Sequence, residues 1–198
     1  MNEDILRTSL LRAPILTYYA ILVIVALGML FVMAAFFMKR AGRLCLSLGI
    51  HIAYAMLSLP AAFLFISAHY LKLGSIEYMA LSAAVSLILS VLLNRVLKDR
   101  IKIILSICLL LQIGLSVDII TGSMLIKQSV LGYDPIIGAR FYGIGNEYAG
   151  MYMGCSLMVF GCILELMGNK CNRAAAAVYF LICTFLLGLT FFGANFGG

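Results

Sequence analysis

The chain is 198 residues long, 64% hydrophobic and only 11% charged, with a mean hydropathy of +1.11. These values lie far outside the soluble globular range and exclude a water-soluble fold. A net charge of +6 does not imply a nucleic-acid partner: Lys and Arg gather between apolar runs, beside membrane lipids with anionic headgroups, and no basic stripe interleaved with aromatics stands in a polar domain.

A membrane span takes about 20 apolar residues to cross about 30 Å of hydrocarbon. Six runs qualify, at about 14–38, 44–68, 76–95, 103–122, 149–167 and 175–194. They predict an all-α polytopic transmembrane helix bundle, with 1–198 forming a single integral membrane domain. The first run is too long for a secretory leader. The preceding NEDILRTSLLR has no net charge and no small-x-small cleavage site follows, so the run reads as a retained helix. Ahead of it, Ile5, Leu6, Leu10 and Leu11 recur at helical spacing with Arg7 and Arg12 between them, which predicts a short interfacial helix.

Loop charges set the expected orientation, because cytoplasmic loops retain Lys and Arg. Lys39, Arg40, Arg43, Arg95, Lys98, Arg100, Lys102, Lys170 and Arg173 fall on one face, against Arg7, Arg12, Lys72, Lys127 and Arg140 on the other. The N-terminus is therefore expected outside the cytoplasm. Most tyrosines, among them Tyr18, Tyr19, Tyr78, Tyr148 and Tyr152, fall near the same outer boundary, where amphipathic rings are at home.

In the second span His51 and His69 sit near opposite ends, too far apart for one metal. Cys45, Cys108, Cys155, Cys162 and Cys183 lie in spans and Cys171 in a loop, with no C-x-x-C pair, so the cysteines read as small packing residues. No metal and no cofactor is expected.

Near the outer end of the fourth span, Asp118 is an ionisable group in an apolar run and so a candidate functional residue, with Arg140 or Lys127 as partner. If the span ends early, Asp118 is merely interfacial. Gln112, further in, fits an interhelical hydrogen bond, and Glu165 reaches the opposite boundary. In the fifth span Gly150 and Gly154 form G-x-x-x-G and predict tight helix packing.

Between the fourth and fifth spans, the 121–148 segment is expected to form a folded or re-entrant outer loop. Its GYDPIIGARFYGIGNEYAG run (132–150) gathers Asp134, Arg140, Asn146 and Glu147 among aromatics and glycines. Pro135 and Asp134 are turn chemistry, and the glycines permit backbone angles closed to other residues. Ile136, Ile137, Phe141, Tyr142 and Ile144 are too apolar for a loop in water, so the segment should tuck into the bundle mouth. Arg140 is suited to hold a phosphate or carboxylate, Glu147 to move a proton with Asp118 as the second candidate, and Asn146 to orient either; Asp134 and Tyr142 complete the candidate binding set. The competing reading makes Asn146 the N-cap of the fifth helix and Glu147 its first-turn acid, with Arg140 paired to Glu147 or Asp134. GIGNEY lacks the last glycine and the βαβ setting of a dinucleotide fingerprint, and P-loop, zinc-protease and serine-hydrolase motifs are absent from the sequence.

At the C-terminus GANFGG repeats the G-A-x-F-x-G pattern of 138–143 and places Asn195 on the same outer face. Two readings stand: paired broken segments meeting at one site, or chance in a chain rich in Gly, Ala and Phe. GANFGG follows the last apolar run without a charged anchor, so the chain is expected to be a fragment of a longer one or a natural short form.

The 132–150 run resembles a segment of poorly characterised multi-pass bacterial membrane proteins, in which G-Y-x-P precedes a Gly/Arg/aromatic stretch and G-x-G-N. It covers about a tenth of the chain. The resemblance implies a bacterial cytoplasmic membrane and carries over no catalytic residue. The expected function is an envelope enzyme with an outer-face site for an amphiphilic, phosphate-bearing or lipid-linked substrate. The alternatives are a transporter or flippase core, or a non-catalytic scaffold subunit. The sequence leaves the oligomeric state open.

Overall fold

The computed structural model describes residues 3–66, 73–132, 144–168 and 173–188, with side chains from Leu10 onward apart from 36–45 and 173. The elements run α1 (Glu3–Val32), a wide π turn (Met33–Phe37), α2 (Met38–Phe65), α3 (Ser75–Leu97), α4 (Arg100–Ile120), α5 (Met124–Gln128), α6 (Asn146–Met167) and α7 (Arg173–Gly188). No strand occurs among the described residues, and the all-α bundle is as expected.

Among the described residues, five helices are long and apolar enough to cross a membrane: Leu10–Ala35, Leu46–Phe65, Ser75–Leu97, Arg100–Ile120 and Asn146–Met167. The sixth expected span appears as α7, whose 16 described residues cover about 24 Å at 1.5 Å per residue. Residues 189–194 of that span lie outside the described set. Two expectations are corrected. The interfacial helix is not separate, because α1 continues from Glu3 into the first span through Pro14; a span tolerates proline where neighbouring groups satisfy the freed carbonyl. The linker at 39–43 stays helical rather than forming an open loop.

Side-chain contacts give the helix directions. Tyr19 meets Phe63, with ring centroids 5.6 Å apart, and Leu30 lies against Gly49, so α1 and α2 are antiparallel. Ser90 and Asn94 of α3 reach His51 of α2, while Tyr78 reaches Phe63 and Ile66, again antiparallel. Gln112 and Ser116 of α4 meet Ser156 and Tyr152 of α6. Each span therefore reverses its predecessor. The start of α1, the end of α4 and the start of α6 arrive at one face, called below the N-terminal end.

The large helix faces turned outward are apolar, including Ile24, Phe31, Ile76, Val96 and Leu157. In water such a surface would drive aggregation, whereas hydrocarbon solvates it. The interior is built from large side chains such as Phe63, Tyr78, Leu111, Leu115, Tyr148 and Tyr152, with serines where α2 and α3 meet. Ser82, Ser86 and Ser90 recur every four residues on the buried face of α3, which lets α2 approach closely. Ser86 returns its hydroxyl to the Ser82 carbonyl at 2.9 Å, and Ser58 of α2 bonds the Ala55 carbonyl at 3.1 Å.

Among the described residues the expected G-x-x-x-G contact is not made: Gly150 and Gly154 are exposed, with no described atom near where a Cβ would stand. The face of α6 that packs carries Tyr148, Tyr152, Cys155, Ser156 and Val159. Those bulkier residues fill the space against α4 that a glycine face would leave empty.

Candidate functional site

At the N-terminal end, the chain between α4 and α6 folds back onto the bundle. Thr121 ends α4, Gly122 and Ser123 take left-handed backbone angles (φ 105° and 59°), and α5 begins at Met124. The free amides of this short helix need an acceptor. Asp118 supplies it: Oδ1 accepts the Leu125 amide and Oδ2 the Ile126 amide, both at 2.8 Å. With 3% exposure, the carboxylate is held in place by backbone donors. Lys127 donates instead to the Gly122 carbonyl at 3.1 Å, and no described cation pairs with Asp118. Its position does the work of a cap, which sequence spacing alone could not separate from a proton-moving role.

After α5, Ser129 donates to the Phe63 carbonyl at 2.8 Å and meets the Tyr148 hydroxyl at 2.6 Å, tying α2, the α5 turn and α6 together. Tyr78 places its hydroxyl on the Phe63 and Ile66 carbonyls at the end of α2 and stacks its ring on Phe63. Gly132 is then pressed on α5, where any Cβ would overlap the Ile126 carbonyl oxygen.

Glu147 lies in the first turn of α6, as expected, and its partner is Arg12 of α1. Arg12 Nη2 reaches Glu147 Oε1 at 2.8 Å while Nη1 donates to the Gly132 carbonyl. The Arg12 side chain is 14% exposed and that of Glu147 is 36%, so the pair lies at an accessible mouth. One guanidinium thus holds both described stems, Gly132 and α6, of the segment that contains 133–143. In the sequence Arg12 stands out only as an outer-face charge of the expected interfacial helix. Loop charge had already put it on the face of Glu147, and only folding could bring the two together.

The N-cap of α6 is Gly145, in extended conformation (φ −66°, ψ 160°), with Asn146 as the first helical residue, so the expected Asn146 cap is corrected by one position. Asn146 is exposed beside Glu147. Asp134, Arg140, Tyr142 and Asn195 lie outside the described residues.

Deeper in the bundle Gln112 gathers a polar cluster that the sequence indicated only by its one amide. Its Nε2 lies 3.2 Å from Ser156 Oγ, 2.8 Å from the Tyr179 hydroxyl and 3.3 Å from Cys183 Sγ. Tyr179 also reaches Gln112 Oε1 at 3.0 Å and the Ser156 carbonyl at 3.2 Å, so α7 is joined to α4 and α6 through these groups. The cluster contains no charge and its polar atoms satisfy one another. Among the described residues no group of His, Cys, Asp and Glu could hold a metal.

No protein-family model, curated protein or solved structure matches the chain.

Proposed function

We propose that the N-terminal end of the bundle is the extracytoplasmic mouth of a bacterial envelope enzyme and binds an amphiphilic, phosphate-bearing substrate. Arg12 is the anion ligand and Glu147 its resting counter-ion. The observation that carries this reading is the fork of Arg12, which spans two acceptors from different elements at a partly open position. Guanidinium geometry matches a phosphate as well as it matches this pair. A phosphate arriving at Arg12 displaces the Glu147 carboxylate, which is then free to take a proton from the substrate. Arg140, Asn146, Asp134, Tyr142 and Asn195 are proposed to complete the site, and Asp118 is proposed to hold its floor rather than to react.

The segregation of Lys39, Arg40, Arg43, Arg95, Lys98, Arg100 and Lys102 away from this mouth supports the outward orientation. A carrier reading is weaker. Carriers bind near the midplane, and the described group there, around Gln112, is uncharged and internally bonded.

The test is binding of a short-chain polyprenyl phosphate to the protein in nanodiscs, with Arg12→Ala and Glu147→Gln variants. Arg12→Ala should weaken binding about tenfold or more, as loss of a charge-assisted bond implies. Glu147→Gln should tighten it, because the competing carboxylate is gone. Wild-type binding by both variants would sink the reading and leave the pair a structural clamp.

A further inference from the structure

A second feature stands apart from the Arg12 mouth and does not depend on the reading of that mouth. On the outer wall of the bundle, α2, α4 and α5 enclose a groove of ≈ 480 Å³. Its lining includes Phe65 from α2, Leu110, Gly114 and Val117 from α4, and Met124 and Leu125 from α5. The volume is that of a small-molecule site. Gly114 shapes it: a Cβ there would stand 2.8 Å from Phe65 Cζ, so the bare backbone lets the ring lie against α4 and form one side.

We propose that this groove holds one acyl chain of a bilayer glycerophospholipid, with the phosphate of that lipid at Lys127. Three observations converge. The lining residues of α4 run from Leu110 to Thr121, about 16 Å of helix, which is half the roughly 30 Å hydrocarbon core and so the depth of one leaflet. The wall is apolar and belongs to a span whose neighbours Ile113, Val117 and Ile120 are exposed, so the medium at its opening is hydrocarbon. At its top, Lys127 is exposed and its Nζ lies 3.1 Å from the carbonyl of Gly122, the residue after Thr121. A cation is thereby fixed at headgroup level, with two further donors to offer a phosphate. Asp118 also borders the groove, but both its oxygens are taken by the Leu125 and Ile126 amides.

Native mass spectrometry of the full chain in detergent, with phosphatidylglycerol and phosphatidylcholine as probes, tests this. The wild type should retain one phosphatidylglycerol in preference to phosphatidylcholine. Val117→Phe, which fills the groove from an exposed position, should reduce the adduct to background, while Leu157→Phe on the outer face of α6 should leave it unchanged. Lys127→Gln should lower the preference for phosphatidylglycerol about fivefold. The proposal is overturned if Val117→Phe retains the lipid, if Leu157→Phe loses it equally, or if the preference follows Arg12→Ala and ignores Lys127→Gln.

Discussion

Arg12 Nη2 lies 2.8 Å from Glu147 Oε1, joining the first helix to the sixth across 135 positions of sequence. The same guanidinium holds the Gly132 carbonyl, so its removal leaves two acceptors without their donor. Arg12→Ala should destabilise the bundle by about 1–3 kcal/mol. Glu147→Gln, whose partner keeps Gly132 and whose side chain reaches solvent, should cost less than about 1 kcal/mol. Reversible unfolding in mixed micelles measures both. Equal costs would mean that the Gly132 contact contributes nothing.

Asp118 separates a capping role from a chemical one. Asp118→Asn retains one acceptor oxygen and loses the charge, and should cost about 1–2 kcal/mol while speeding hydrogen exchange at the Leu125 and Ile126 amides. If exchange at those amides is unchanged in the variant, the carboxylate is not what holds α5.

Gly132 tests how closely the α5 turn is packed. Gly132→Ala places a methyl on the Ile126 carbonyl oxygen, so backbone must move, with a loss of about 1–3 kcal/mol. Gly150→Ala, where no described atom stands within 4 Å, should be neutral or stabilising by up to about 1 kcal/mol. Thermal melting of the two variants side by side should rank them in that order, and the reverse order would contradict the packing described.

The Gln112 cluster predicts how α7 is attached. Tyr179→Phe removes the hydroxyl that meets the amide, and Gln112→Leu removes the amide itself; each should cost about 0.6–2 kcal/mol. Because Cys183 is buried against Gln112, both variants should raise its labelling by a small maleimide. Labelling at the wild-type rate would show that α7 is held by its apolar contacts alone.

What was legible in the sequence was set by neighbours along the chain. A span is a sum of transfer free energies over about 20 consecutive residues, so the helices at 75–97, 100–120 and 146–167 stood near their expected positions from hydropathy alone. Loop charge likewise put Arg12 and Glu147 on one face. Which groups touch depends on how the helices rotate and cross, and hydropathy contains no such term. Nothing local distinguishes Arg12 from Arg7, or the exposed glycines of α6 from a packing face. Nothing local shows that Asp118 spends both oxygens on amides seven and eight residues ahead. The sequence by itself determined a membrane-spanning helical protein with its charged residues gathered at the ends of the spans. Tertiary packing decided that a guanidinium from α1 meets α6 and that a glycine beside Phe65 opens a groove, because both depend on side chains from distant segments competing for the same few ångströms.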